Sequence, residues 1–118
     1  MRVSGVQDDV SLRRLRRVCG RLPDTTETTT FGHPTFQRKG KTFAVLDFYD
    51  GESCICFKAI PPVQRSLIRR RAYFPAPYGA RHGWTCIRLS GKVDWRRLAR
   101  LVNMSHDLAV RSKARRPA

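Results

Sequence analysis

The pair Asp50-Gly51 stands between two runs of alternating hydrophobicity, Thr42 to Tyr49 and Ser53 to Ala59. An Asp-Gly pair readily adopts the positive φ values of a two-residue hairpin turn, so this stretch is committed to antiparallel pairing. A shorter extended segment, Thr35-Phe36-Gln37, precedes it across the polar tip Arg38-Lys39-Gly40-Lys41, giving a meander of about three strands. One more strand is predicted from Trp84 to Leu89, after Pro75 and Pro77 interrupt regular structure.

Helical periodicity brackets the strands. Over residues 8–21, Leu12, Leu15, Cys19 and Leu22 form one stripe, and Arg13, Arg14, Arg16, Arg17 and Arg21 crowd the opposite side. Asp8 or Asp9 is the expected N-cap, and Gly20 and Pro23 end the helix before a polar, Thr-rich connection. Pro61-Pro62 opens a short helix with Val63, Leu67 and Ile68 inward. Asp94 caps a last helix, Trp95 to Val110, whose inner face is Leu98, Leu101, Val102, Ser105, Leu108 and Ala109. The tail from Arg111 to Ala118 has no apolar stripe and is expected to fray. With 118 residues, 41% of them hydrophobic, the chain can bury one modest core. A single α+β domain is expected, its core about residues 8–110: an antiparallel meander packed with N-terminal, middle and C-terminal helices.

Strand phase divides the sheet into two faces. Ile55, Phe57 and Ala59 oppose Cys54, Cys56 and Lys58, and Thr85, Ile87 and Leu89 oppose Trp84, Cys86 and Arg88. If helices cover only the oily side, the second face opens to solvent or to a partner.

Charge limits the choice of partner. Lys and Arg number 24 against 9 Asp and Glu, a formal net charge of +15, and Arg far outnumbers Lys. Such an excess repels itself and is relieved when a polyanion replaces its counterions, so nucleic acid is the first partner to consider. A GC-rich genome accounts for Arg in place of Lys but not for so few acids. No apolar run is long enough for a membrane span, and the N-terminus lacks the apolar stretch of a secretory signal. The expectation is a cytoplasmic protein without membrane attachment, with a monomer the default.

Cys19, Cys54, Cys56 and Cys86 lack Cys-x-x-Cys spacing, so free thiols are expected, with no metal and no cofactor. There is no Gly-rich phosphate loop, nucleophile elbow or usefully spaced pair of carboxylates, and His33 has no carboxylate at a recognisable spacing. A non-enzymatic role follows.

Several ordered segments resemble a known family. Leu22-Pro23 with Thr26-Glu27, Phe31-Gly32-His33-Pro34-Thr35-Phe36, Gly40-Lys41-Thr42-Phe43-Ala44, Cys56-Phe57-Lys58, Pro75-Ala76-Pro77-Tyr78 and Gly83-Trp84 are similar, in content and order, to the MmcQ/YjbR family. The similarity spans about residues 11 to 110. It implies a frataxin-like (CyaY-like) α+β fold and DNA binding by a double wing. The frataxin relation also carries an iron-binding expectation, which fails here because the first helix is arginine-rich where carboxylates would sit. In this chain Lys39 stands where the family often has a second glycine, making the tip more cationic and stiffer.

The same segments have a physical reading of their own. Phe31 to Phe36 reads as a rigid corner placing two aromatics in the core. Pro75 to Tyr78 stiffens the entry to a glycine-bounded loop that carries Arg81 and ends at Trp84. The expected contacts to the DNA backbone are Arg38, Lys39, Lys41 and Arg81 on two loop tips, with Arg13 and Arg17 on the first helix. No base-reading helix is evident, so little sequence specificity is expected. The alternative is a module for a small ligand or protein, using the open face around Trp84, Cys54, Cys56, Lys58, Cys86 and Arg88.

Overall fold

The computed structural model describes the backbone of residues 2–114 and the side chains of residues 10–109. Three helices, α1 (Arg2–Cys19), α2 (Pro61–Ile68) and α3 (Trp95–Ala114), accompany six strands: β1 (Thr25–Thr30), β2 (His33–Arg38), β3 (Lys41–Tyr49), β4 (Glu52–Lys58), β5 (Tyr73–Pro75) and β6 (Trp84–Arg88). They form one antiparallel sheet in the order β1-β2-β3-β4-β6-β5, so the fold is α+β as expected. Among the described residues, no helix is long and apolar enough to cross a membrane.

Two-residue turns set the register of the first four strands. Phe31-Gly32, Lys39-Gly40 and Asp50-Gly51 all have positive φ at both positions, the primed-turn pattern that matches strand twist. The first of these corrects the expected corner. Phe36 is buried, but Phe31 occupies the hairpin tip and is 96% exposed. The Thr-rich connection is likewise strand β1, because β-branched threonines suit an edge strand even without an apolar alternation. Pro75 closes the three-residue edge strand β5, where a missing N–H costs the ladder little.

The ends of the helices differ from expectation in three places. The helical backbone of α1 begins at Arg2, so Asp8 and Asp9 lie within the helix and cannot be its N-cap; their side chains are outside the described residues. Ile68, expected inward, is 38% exposed at the last turn of α2, where Leu67 takes the core position. Arg111 to Ala114 continue α3 instead of fraying, and residues 115–118 lie outside the described residues. Asp94 caps α3 as predicted. Its Oδ1 accepts from the Arg97 N–H at 3.1 Å, and this bonding, with the nearby arginines, holds its carboxyl below the usual carboxylate range.

The helices cover one face of the sheet. Leu15 and Cys19 of α1, Leu67 of α2, and Leu98, Leu101, Val102 and Ala109 of α3 pack on Phe36, Phe43, Ala44, Leu46, Ile55, Phe57 and Ile87. Between Phe36 and Gln37 the register slips, leaving Phe43 as an extra residue on β3. Buried Ser105 accommodates this bulge: its hydroxyl donates to the Phe43 carbonyl at 2.7 Å and accepts from the Lys58 N–H at 2.8 Å.

Candidate functional site

Antiparallel pairing throughout places the β2–β3 turn, the start of β1, the end of β4 and the β5–β6 connection at one end of the sheet. Both predicted wings therefore share an end. The β2–β3 turn and the β5–β6 connection are centred three strand spacings apart in the sheet order, about 14 Å at the usual spacing. Lys58, last residue of β4, and the C-terminal end of α1, which leads through Pro23 into β1, belong to the same end.

The two wings are built differently. The first is the tight Lys39-Gly40 turn, with Lys39 held at φ 48° and 62% side-chain exposure. Its ammonium lies 3.9 Å from Asp24, a surface pairing of little strength. Lys41 is partly exposed. The second wing, residues 76–83, is a longer connection containing a 3₁₀ turn, Ala80–His82, with Arg81 and His82 exposed. It is tied down from three sides: the Trp84 N–H donates to the Gly79 carbonyl at 3.1 Å, the Gln64 amide donates to the Ala80 carbonyl at 3.1 Å, and the Ala59 N–H donates to the Gly83 carbonyl at 2.9 Å. Gly83 sits at φ 93°, and a Cβ there would come within 2.4 Å of the Ala59 oxygen.

Arg38, expected at the first tip, is not available there. Its side chain is 16% exposed and turns beneath α3, donating to His106 Nδ1 at 2.9 Å and to the His106 carbonyl at 3.3 Å. His106 Nε2 is 2.7 Å from the Pro23 carbonyl. Because that carbonyl only accepts and the guanidinium only donates, the ring carries its proton on Nε2 and a lone pair on Nδ1. Position explains the outcome: Arg38 falls on the helix-covered face and its neighbour Lys39 in the turn. Sequence reading missed His106, although its spacing of eight from Leu98 puts it on the inward stripe of α3.

Arg13 and Arg17 are exposed on α1, as expected for its outer side. Of the neighbouring cations, Arg16 is held in a bidentate pair with Glu27, both contacts 2.8 Å, and Arg14 lies 5.4 Å over the Trp95 ring. Cations are also found at the opposite end of the sheet, where exposed Arg69, Arg70 and Arg71 follow α2. What distinguishes the first end is that both of its strand connections carry exposed cations, Lys39 and Arg81, whereas the hairpin turns at the opposite end are Phe31-Gly32 and Asp50-Gly51.

The second face of the sheet departs from expectation. Cys54, Cys56 and Cys86 are buried, not open, beneath Ala76 and the partly buried Tyr49, Phe74 and Trp84. The chain from β5 to β6 folds back over them. Arg88 is spread 4.7 Å over the Phe74 ring and donates to the Arg71 carbonyl, and Lys58 is partly exposed. A pocket of about 250 Å³ remains beside the thiols, lined in part by Asp47, Tyr49, Cys56, Tyr78 and Trp84. A larger cavity of about 610 Å³, between α1, the Asp50-Gly51 turn and the segment before α3, gathers Arg14, Glu52 and Lys92 as its charged groups among the described residues. His33 does have a carboxylate partner, corrected from the sequence reading: the β2–β3 register brings its Nε2 to 3.4 Å from Asp47 Oδ1.

The three Sγ atoms all lie within 4.8 Å of one another, with Cys54 and Cys56 4.0 Å apart, and no disulfide links them. Hydrogen bonds from Cys54 and then Cys56 hold the Cys86 thiol down at about 5; Cys56 is pushed up, first by its bond with Cys54 and then by Cys86 and burial. The opposite directions describe one coupled unit, in which each thiol is shifted mainly by the sulfurs beside it. Cys19, alone on the helix-covered face, is pushed up to about 12 by burial and the Glu27 charge.

Comparison with known proteins agrees with this architecture. No curated protein matches the sequence. A Pseudomonas syringae protein of known crystal structure superposes with a TM-score of 0.69 at 17% identity, covering 82% of this chain and 97% of its own. A Deinococcus radiodurans protein with a DUF419 domain superposes with a TM-score of 0.74 at 22% identity, covering 86% of this chain and 80% of its own. At these identities the shared property is the fold. The family model described as YjbR matches residues 20–108, and on that span the chain belongs to the YjbR family.

Proposed function

We propose that the protein binds DNA through its phosphate backbone, using the end of the sheet from which the two loops project. The observation that carries this is the common placement of both loops, each bearing exposed cations, in a chain of net charge +15. A separation of about 14 Å between them is comparable with the roughly 12 Å width of a DNA major groove. Lys39, Lys41 and Arg81 are the contacts on the loops, and Arg13 and Arg17 extend the surface along α1. Arg38 is withdrawn from the set. Its guanidinium already serves His106 and lies beneath α3.

The role is binding, not catalysis, and it is nearly indifferent to sequence. Lysine and arginine on short loops meet phosphates as charges, and neither loop carries an Asn or Gln to read base edges. Five contacted phosphates give a slope of about −4.5 for log affinity against log salt on duplex DNA. A salt series with two unrelated duplexes of equal length tests this: similar affinities and that slope are expected. A slope near zero overturns the proposal, and a large preference for one duplex overturns the indifference to sequence.

A ligand-binding role is the second reading, favoured by the pocket of about 250 Å³ on the second face. Its opening is framed by Tyr78, 93% exposed, and by Trp84. Titration with anionic metabolites at the salt concentration used for DNA separates the two readings.

A further inference from the structure

We propose that Cys54, Cys56 and Cys86 form a three-coordinate thiolate site for a soft monovalent cation, Cu(I). Geometry comes first. A trigonal site with metal–sulfur bonds of about 2.3 Å has sulfur–sulfur edges of about 4.0 Å. Cys54 and Cys56 already stand 4.0 Å apart, and all three sulfurs lie within 4.8 Å of one another. Small side-chain rotations close the triangle.

The frame holding the sulfurs is rigid. β4 and β6 are interior strands of the six-stranded sheet; Cys56 and Cys86 are cross-strand partners, and Cys54 is two residues along on the same face. No loop has to be ordered for a metal to bind. That distinguishes the cluster from thiols that meet only by chance in a mobile segment.

The donor set selects the ion. Among the described residues the cluster contains sulfur alone, with no histidine or carboxylate joining it. Hard cations prefer oxygen, and a tetrahedral zinc site needs a fourth ligand, whereas Cu(I) is satisfied by thiolates alone. Tyr49, Phe74, Ala76 and Trp84 pack around the sulfurs and keep the surroundings apolar, which favours a weakly hydrated ion. Binding forms three S–Cu bonds and releases to solvent the protons that the thiols still carry. The negative charge that results is met by two cations, Arg88, the partner of Cys54 on β6, and Lys58, two residues from Cys56 on the same face, against one acid, Asp47, the partner of Cys54 on β3. Entry is through the pocket that Cys56 lines between Tyr49, Tyr78 and Trp84.

The site lies on the second face of the sheet; it shares the 76–83 loop with the proposed DNA surface through Ala76 and Tyr78 but uses none of the proposed contact residues. Cu(I), supplied anaerobically as its acetonitrile complex against a competing chelator, is titrated into the full chain. One equivalent is expected to bind, with a sulfur-to-copper charge-transfer band. Cys56→Ser and Cys86→Ser are each expected to weaken binding at least 100-fold, while Cys19→Ser leaves it unchanged. Should either serine variant fail to fold, X-ray absorption on the copper-loaded wild-type protein decides the matter: three sulfur neighbours at about 2.3 Å support the site. Two sulfurs, nitrogen or oxygen neighbours, dependence on Cys19, or displacement of Cu(I) by equimolar Cd(II) overturns it.

Discussion

The two basic loops at one end of the sheet reach the same place by opposite means. The Lys39-Gly40 tip is as short as a hairpin allows and relies on backbone conformation, with Lys39 itself at φ 48°. The 76–83 loop is long and relies on hydrogen bonds to α2, to Ala59 just after β4, and to β6. Whether a cation remains available follows from the way its loop is built. On the short tip a single step along the chain moves from Arg38, turned under α3, to Lys39 in solvent. On the long loop Arg81 is exposed while the bonds holding the loop are made by main chain and Gln64. Charge in the sequence marks both loops, with Arg38, Lys39 and Lys41 on the short one and Arg81 on the long one; only the face each residue occupies separates anchor from contact.

The largest effect is expected at Gly83. Gly83→Ala places a methyl against the Ala59 carbonyl in a left-handed backbone and is expected to cost about 2–4 kcal/mol, measured by urea denaturation. The long loop should then lose its fixed position while the short tip keeps its own. Protease cleavage confined to residues 76–83 is the signature, and an unchanged midpoint contradicts this view of the loop.

Next in size is Ser105→Ala. It leaves the bulge carbonyl of Phe43 and the Lys58 N–H without their buried partner, at about 2–3 kcal/mol in chemical denaturation. A loss below 0.5 kcal/mol would mean that the bulge does not depend on the hydroxyl.

Arg38→Met keeps much of the volume and removes the donor to His106, for about 1–3 kcal/mol. DNA affinity, measured where the variant is folded, should change less than twofold, in contrast with the exposed cations beside it. A tenfold loss of affinity without loss of stability would return Arg38 to the contact surface. The smallest effect is expected from Lys39→Gly, which relieves the left-handed strain and raises stability by up to about 1 kcal/mol while removing one phosphate contact. Lower thermal stability in that variant would show that the lysine side chain supports the turn.

Much of this fold was legible in the chain because its strongest signals are local. Asp50-Gly51 fixed the central hairpin, alternation separated Ile55 and Phe57 from Cys54 and Cys56, and Asp94 marked the start of α3. β1 was illegible because its threonines lie on an edge and carry no apolar period. The sites were harder because they depend on pairing between distant segments. Arg38 and His106 are 68 residues apart, and Cys86 joins Cys54 and Cys56 only through the β4–β6 register. Asp47 reaches His33 in the same way. Phe31 differs from the expected corner because the Phe-Gly pair forms the tip of the β1–β2 hairpin, beyond the last paired residues Thr30 and His33, where it is exposed.

The most direct test of the DNA-binding proposal is the salt dependence of duplex binding for the wild-type protein and for the Lys39→Ala/Lys41→Ala/Arg81→Ala variant, with Arg38 intact. With three of five contacts removed, the slope of log affinity against log salt should flatten from about −4.5 to about −2. Thermal stability should stay within about 1 kcal/mol of wild type, since exposed cations contribute little to folding. An unchanged slope in the triple variant, with its fold intact, would contradict the assignment of the two loops to DNA.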